Sequence, residues 1–170
     1  FTDDSDLAKK IKSIRVHGAG IDKYQNVRIG LNGRLDTLQA AILIEKFNIF
    51  EDEMKNRNKI AHYYKSNISS SLVTPPFIPE NYTSSWAQFS VLARNEKERK
   101  RIINKLSEKK IPTSIFYSIP LHLQKVFKYL KYKKNSLPIV EKISSRIFSI
   151  PMHPYLNMDD QDRVLEILND

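Results

Sequence analysis

A short stretch in the first quarter of the chain combines residue types that can hold an anion. Residues 28–41 read Arg-Ile-Gly-Leu-Asn-Gly-Arg-Leu-Asp-Thr-Leu-Gln-Ala-Ala and run from a glycine-rich loop into a predicted helix. Free backbone amides and the positive dipole end at a helix start suit a phosphate. Asn32 can donate from its side-chain amide, and Arg34 can grip a phosphate or carboxylate at two points. On spacing alone, a glycine loop with a helix cap at Asp36 and a solvated Arg34 explains the stretch at least as well.

The histidines, the absence of cysteine and the single tryptophan do not indicate a second functional site. The four histidines, at positions 17, 62, 122 and 153, are too scattered to predict a metal site, so we expect no metal. Because the chain has no cysteine, disulfides, thiolate nucleophiles and cysteine-based zinc sites are excluded. Trp86 lies in a predicted strand, where packing is the commoner role, and we expect it in the core or in a pocket wall.

Apolar periodicity and turn residues predict the elements that position these groups. The predicted helices cover residues 4–16, 36–69 (one long helix or two consecutive ones), 96–109, 124–130, 137–146 and a last segment from Asp159. Predicted strands cover residues 85–93, 111–117 and 148–150, and all four glycines lie in a loop over residues 17–33. Strands separated by helices predict an α/β or α+β fold, with a small sheet covered by helices.

The length and net charge of the chain limit the classes of protein to which it can belong. A chain of 170 residues, 41% of them hydrophobic, is long enough for one domain or a little more. Its formal charge of +9 suggests anionic partners such as phosphates, nucleotides or nucleic acid. No stretch approaches the roughly 20 apolar residues of a membrane span, so we expect a soluble, cytoplasmic protein. Phe1 and Thr2 read like the end of a strand running into a helix start, which predicts a fragment or domain of a longer chain.

Several short sequences, in order along the whole chain, carry a family resemblance. The first group is Arg15-Val16-His17-Gly18, Tyr24, Gly30-Leu31-Asn32-Gly33-Arg34-Leu35 and Gln39-Ala40-Ala41. Later pieces are Trp86-Ala87-Gln88, Ile111-Pro112-Thr113 through Tyr117, Pro120-Leu121-His122-Leu123-Gln124 and Ser149-Ile150-Pro151-Met152-His153-Pro154. Together they resemble the C-terminal part of the pyridoxal-phosphate (PLP)-dependent sugar aminotransferases of the DegT/DnrJ/EryC/StrS family.

The resemblance implies a fold and a domain organisation. It implies the C-terminal domain of a fold-type I PLP aminotransferase, with a small, mostly antiparallel sheet covered by helices and a long helix near the N-terminal part. Residues 1–35 would be the end of the large cofactor domain with its active-site loop. Residues 36–70 would form a long interdomain helix, and residues 71–170 the small domain.

The resemblance also implies roles for four residues. Asn32 is expected to reach across a dimer interface to the cofactor phosphate of the partner subunit, and Arg34 to face the substrate or cofactor pocket. Tyr117 and His122 match substrate-contacting positions, where a tyrosine hydroxyl and an imidazole can hydrogen-bond a sugar or its diphosphate. Phe116 departs from the pattern, because many relatives have histidine there.

The reaction implied is transfer of an amino group between glutamate and a nucleotide-linked keto-sugar by a homodimer. The lysine that forms the Schiff base is expected upstream of Phe1, so we assign no catalytic residue within the chain. The fragment alone is expected to be inactive and not to hold PLP. Residues 16–24 most resemble members that act on a UDP-linked 3-keto-uronic acid in lipopolysaccharide or other surface polysaccharide biosynthesis.

Two readings from other classes stay open. Lysines interleave with Phe127, Tyr129 and Tyr132 over residues 125–134, and such a mixture is also found in nucleic-acid-binding modules. The same segment can form a plain apolar helix face with lysines in solvent, no nucleic-acid motif accompanies it, and we expect neither nucleic-acid nor membrane partners. The third reading, a non-catalytic oligomerisation or regulatory domain, differs mainly in whether Asn32 and Arg34 meet a cofactor.

Overall fold

The computed structural model describes residues 1–22 and 24–170. The chain divides into two compact units, Phe1–Ile49 and Phe50–Asp170, and each is described by itself. The domain boundaries drawn from the family resemblance, at residues 35 and 70, remain a prediction.

The first unit contains two helices, α1 (Ser5–Ile14) and α2 (Thr37–Asn48). An aspartate caps each N-terminus: Asp4 Oδ1 accepts hydrogen bonds from the amides of Asp6 and Leu7, at 2.9 and 3.0 Å, and Asp36 caps α2. The prediction of a strand end at Phe1 and Thr2 is wrong. The Thr2 hydroxyl instead accepts a hydrogen bond from the Asp4 amide at 3.2 Å, within a bend that precedes α1.

Helix α2 is unusual because it is rich in apolar residues and yet has no buried residue. Leu38 and Phe47 are 77% and 78% exposed, and Ile42 is 63% exposed. Residues 36–69 form two helices rather than one, since α2 ends at Asn48 and a second helix begins at Phe50. This is one of the two alternatives that the sequence left open.

The second unit packs helices against a small sheet. Its elements are α3 (Phe50–Asn67), β1 (Val73–Thr74), β2 (Phe89–Ala93), α4 (Glu96–Glu108), 3-10 helices at Leu121–Leu123 and Lys125–Leu130, α5 (Pro138–Ser144), β3 (Ile147–Ile150) and α6 (Met158–Asn169). The strands are antiparallel in the order β1-β2-β3. Phe89 pairs with Ile150 at one end of the β2–β3 ladder, and Leu92 pairs with Ile147 at the other.

The core lies where the helices meet this sheet. Alternate residues of β2, at positions 89, 91 and 93, are fully buried, as expected for a strand with one face on the core. Helix α4 contacts both β2 and α6, and α6 contacts α3. The largest fully buried side chains are Tyr64, Phe89, Phe148, Ile102, Leu106, Leu168, Val91 and Val164. The predicted small sheet covered by helices is therefore confirmed.

Three strand assignments need correction. The strand predicted over residues 85–93 begins only at Phe89, so Trp86 lies outside it. Residues 111–117 were predicted as a strand, but only Ser114 pairs, through reciprocal backbone hydrogen bonds with Ser149 of 3.2 and 2.7 Å. Pro112 has no amide hydrogen to donate, which limits ladder formation there. Conversely, β1 was missed because two residues are too few to show an alternating pattern. The predicted helix over residues 124–130 is present, but as a 3-10 helix.

Candidate functional site

The loop that carries Asn32 is fastened to the end of α1 by backbone hydrogen bonds. The His17 amide donates to the Leu31 carbonyl at 3.0 Å, and the Gly33 amide donates to the Arg15 carbonyl at 2.8 Å. Val16 and Asn32 therefore form an antiparallel bridge. These bonds fix the backbone on both sides of Asn32, so its side chain projects from an ordered support.

Two glycines are needed for this arrangement. Gly18 has a φ of +77°, a left-handed conformation that residues with a Cβ rarely adopt. Gly30 has an ordinary φ, but its Cα faces backbone atoms of Gly18, His17 and Ile14 so closely that a Cβ would overlap them. The glycine-rich composition of the loop thus reflects close approach of backbone segments.

Asn32 and Arg34 lie side by side. The Nε atom of Arg34 donates a hydrogen bond to Oδ1 of Asn32 at 3.3 Å. Both residues are exposed, and they line a hollow of about 280 Å³ together with residues 35–37. Because the amide oxygen is occupied by Arg34, the Asn32 amide presents its N–H donors, next to the terminal nitrogens of the guanidinium.

The N-terminus of α2 contributes less to anion binding than its position in sequence suggests. The Asp36 carboxylate accepts the hydrogen bond of the Leu38 amide at 2.9 Å, which is the expected cap. This bond occupies one of the free amides and adds a negative charge at the helix start. The side chains of Asn32 and Arg34 add N–H donors to the hollow beside this helix start.

Tyr117 lies in the second unit, in the segment that precedes the 3-10 helices. Its side chain is 71% exposed, and the rings of Phe116 and Tyr117 meet edge to face with centroids 5.9 Å apart. Phe116 is itself 38% exposed. Both side chains are accessible to a ligand.

His122 has a different environment, because its side chain is only 6% exposed. Nε2 lies 3.1 Å from Oε1 of Glu141, and the ring meets Tyr132 edge to face. Glu141 also accepts hydrogen bonds from the backbone amides of Asn135 and Leu137, at 2.9 and 3.2 Å. The Asn135 amide foremost, and then His122 and Leu137, hold the pKa of the Glu141 carboxyl below its usual range.

Sequence reasoning missed Glu141. The residue is 19 positions from His122, and a single glutamate in a short predicted helix offers no spacing that links it to a histidine. The only sequence signal is its place four residues after Leu137, which suits a side chain that turns back to the start of α5.

Trp86 is buried, with 7% of its surface exposed, and confirms the expected core or pocket-wall role. Its φ is +47°, a conformation that bulky residues rarely adopt. Two consecutive residues of α3 hold it: Asn58 Oδ1 accepts from the indole nitrogen at 3.0 Å, and Arg57 donates to the Trp86 carbonyl at 3.0 Å. The ring also stacks on Phe89, with centroids 5.3 Å apart.

Three further observations concern the other candidate sites. The basic segment over residues 125–134 is exposed, with Val126 and Tyr129 both 71% accessible, so Val126 does not belong to a buried helix face.

Within residues 1–22 and 24–170, no group of three or more histidines and acidic residues is placed to hold a metal ion. In the same part of the chain, no helix combines the length and the apolar character needed to cross a membrane.

Comparison with known proteins identifies the family to which this fold belongs, and the fold is that of the family's C-terminal domain. The sequence model of the DegT/DnrJ/EryC1/StrS aminotransferase family matches residues 1–169. The chain belongs to this family.

Individual relatives agree with the assignment. The UDP-2-acetamido-2-deoxy-3-oxo-D-glucuronate aminotransferase of Pseudomonas aeruginosa is 39% identical over 157 residues, which are 92% of this chain and 42% of that protein. A crystal structure of a DegT DnrJ EryC1 StrS aminotransferase from Brucella abortus is 43% identical and superposes with a TM-score of 0.83, over 99% of this chain and 44% of that one.

A third relative was crystallised with a cofactor. NtdA from Bacillus subtilis, with bound cofactor PMP, is 30% identical with a TM-score of 0.81, over 98% of this chain and 40% of that one. The chain therefore spans less than half the length of each of these three relatives.

Proposed function

We propose that this chain is the C-terminal part of a PLP-dependent aminotransferase that converts a nucleotide-linked keto-sugar into an amino sugar. The observation that carries the proposal is the pairing of Asn32 with Arg34 on the glycine loop, within a chain that matches the aminotransferase family over residues 1–169. Support for the substrate class comes from the Pseudomonas relative, whose name specifies a UDP-linked 3-oxo sugar acid.

The donor set on the loop fits the phosphate of the cofactor. A phosphate dianion needs N–H donors and positive charge, and the Asn32 amide with the Arg34 guanidinium supplies both. When bound, PLP supplies the electron sink that amino transfer requires. Asn32 would hold the cofactor phosphate across a homodimer interface, and Arg34 would orient the cofactor or an anionic part of the substrate.

Tyr117 and His122 would contact the sugar nucleotide. Tyr117 is exposed and can both donate and accept a hydrogen bond. His122 would donate from Nε2 to the Glu141 carboxylate, which leaves Nδ1 to hydrogen-bond the sugar or its diphosphate.

The lysine that attaches the cofactor would lie in the part of the longer protein that precedes this chain. On that basis the 170 residues alone would neither hold PLP nor catalyse transfer. The amino donor would be glutamate, and the substrate a UDP-linked 3-keto-uronic acid used in the cytoplasm for lipopolysaccharide or another surface polysaccharide.

The absorbance spectrum of the longer protein, including the residues before Phe1, tests this proposal. With PLP we expect a visible band from the attached cofactor, which glutamate shifts to shorter wavelength, and keto-sugar nucleotides would then be tested as acceptors. The 170-residue chain under the same conditions is the control and should show no such band. A longer protein that forms no band would contradict the proposal and favour a non-catalytic oligomerisation or regulatory role.

A further inference from the structure

A hollow of about 310 Å³ lies at one end of the small sheet, where β2 begins and β3 ends. Its walls come from residues 87–88, which precede β2, from residues 112–114 with Phe116, and from residues 149–152 at the end of β3. We propose that this hollow binds an uncharged ring of the substrate, a sugar or a nucleobase, and that Gln88 recognises it. The inference rests on the proposed function, and it adds a subsite in the second unit.

The chemistry of the walls selects an uncharged ligand. None of the described residues that line the hollow carries a charge, so nothing there offsets the dehydration of a phosphate. Phe116 and Met152 provide apolar surface, while Gln88 and Thr113 provide hydrogen-bonding groups. The wall thus combines polar groups with apolar surface, as small-molecule sites do, and the volume lies near the lower end of their usual range, about 300–1,000 Å³.

Gln88 and Thr113 have hydrogen-bonding capacity left for a ligand. Gln88 is exposed and Thr113 is partly exposed, and neither side chain bonds to another residue in the described part of the chain. The hydroxyl of Ser149, by contrast, already pairs with that of Ser90 at 2.8 Å. The Gln88 amide offers a donor and an acceptor together, which can match a hydroxyl pair of a sugar or the edge of a pyrimidine.

The backbone two residues before Gln88 is held in an uncommon conformation. Trp86 has a φ of +47°, and α3 fastens both its indole nitrogen and its carbonyl through Asn58 and Arg57. Left-handed backbone at a bulky residue is unfavourable and is found preferentially at ligand-binding sites. Asn58 is thus a positioning residue, which acts on the hollow through Trp86 and the wall formed by residues 87–88.

Binding of small neutral probes to the 170-residue chain tests the proposal directly. We would titrate the ¹⁵N-labelled chain with uridine, N-acetylglucosamine and inorganic phosphate, and follow the backbone amides of Gln88 and Thr113 by NMR. At least one neutral probe should shift these amides, and the probe that does so identifies the base or the sugar as the occupant. A response to phosphate alone, or to none of the three, would overturn the proposal.

Variants separate recognition from folding. Gln88→Ala should weaken binding of the neutral probe by at least about fivefold, as expected for the loss of one or two hydrogen bonds. Asn104→Ala removes an exposed amide from α4 and should leave binding unchanged. Unaltered binding by Gln88→Ala would remove Gln88 from the site.

The positioning role has its own test. Asn58→Ala removes the acceptor of the indole hydrogen bond and should weaken probe binding, whereas Asn58→Asp keeps an acceptor oxygen and should restore it. Trp86 is the single tryptophan, so its emission reports whether the ring stays buried in each variant. If Asn58→Ala and Asn58→Asp bind the probe equally well, Asn58 is not a positioning residue for this site. These measurements need no cofactor, so their failure is distinct from failure of the cofactor spectrum.

Discussion

His122 and Glu141 form a largely buried pair, with Nε2 of the imidazole 3.1 Å from Oε1 of the carboxylate and side chains only 6% and 13% exposed. The same carboxylate accepts the amides of Asn135 and Leu137. One glutamate therefore joins the first 3-10 helix, the loop after the second and the start of α5.

The Glu141 carboxylate should make stability depend on pH in a defined direction. Its pKa in the folded chain lies below the ordinary value of 4.5, so the ionised form stabilises the fold above that value. The stabilisation is lost as pH falls through the lowered folded-state pKa. Glu141→Gln should lower the thermal midpoint at pH 7, and the difference from wild type should shrink below about pH 4. Circular dichroism melts measure both, with Glu166→Gln as an exposed control; a pH-independent difference would contradict the assignment.

Removing the hydroxyl group of Tyr64 should stabilise the fold. The ring is fully buried against Phe89, and the hydroxyl has no hydrogen-bond partner among the described residues. Burial, with a contribution from Asp160, raises the pKa of this phenol. Tyr64→Phe should therefore raise the unfolding free energy by roughly 1 kcal/mol in urea denaturation. Tyr63→Phe is the matched control, because it removes a 2.6 Å hydrogen bond to Asp162 and should bring no gain.

Gly30 should not tolerate a methyl group. A Cβ there would meet the Ile14 carbonyl oxygen at 2.7 Å, and backbone of Gly18 and His17 closer still, so the loop would have to open. Gly30→Ala should increase hydrogen exchange at the Leu31 amide by about tenfold or more, as expected for a loss of at least 1–2 kcal/mol. At Gly20 a Cβ would meet a Val27 side-chain carbon at 2.8 Å but no backbone atom closer than 3.4 Å, so Gly20→Ala should have a smaller effect than Gly30→Ala. Similar exchange in both variants would be inconsistent with this packing.

Asn32→Ala in the longer protein should weaken retention of PLP. The variant removes the amide donors beside Arg34, and a hydrogen bond to a charged phosphate typically contributes about 1.5–3 kcal/mol, or roughly tenfold or more in affinity. Equilibrium dialysis against PLP measures the change. Asn26→Ala, an exposed amide in the same loop, is the control. Unchanged affinity would remove Asn32 from the cofactor site.

The basic segment allows a test of the nucleic-acid alternative. If the aminotransferase proposal is correct, the chain should show only weak, sequence-independent retention on DNA, which declines with salt as surface charge is screened. Replacing Lys131, Lys133 and Lys134 by glutamine should reduce that retention without changing the cofactor spectrum of the longer protein. Tight, sequence-dependent DNA binding that requires these lysines would favour the alternative.

The sequence was most successful in predicting elements that are specified by neighbouring residues. Helices α1, α4 and α6 begin where a capping Asp4, Asn95 or Asn157 precedes apolar residues at helical spacing, and the structure shows each cap bonded. The strand predicted at residues 111–117 is wrong because pairing depends on a partner strand, which local composition does not reveal. Asn32 and Arg34 stand two residues apart, so their contact is also a local relationship, while their role at a cofactor stays a prediction.

Longer-range relationships were not predictable in this way. The bond from Asn58 to Trp86 joins residues 28 positions apart, and the pair of His122 with Glu141 joins residues 19 apart. Both depend on how helices pack, which periodicity alone does not specify. The left-handed conformation of Trp86 was equally hidden, since no glycine or asparagine marks the position.

The exposed apolar surface of α2 affects how the chain behaves in solution. Its aliphatic and aromatic side chains attract one another at contact distance, while the net charge of +9 repels like molecules at longer range. Salt shortens the reach of the repulsion to about 10 Å at 0.1 M and leaves the apolar attraction in place. Colloidal stability of the isolated chain should thus fall as ionic strength rises, so dilute, low-salt buffers are the conditions that keep it monodisperse.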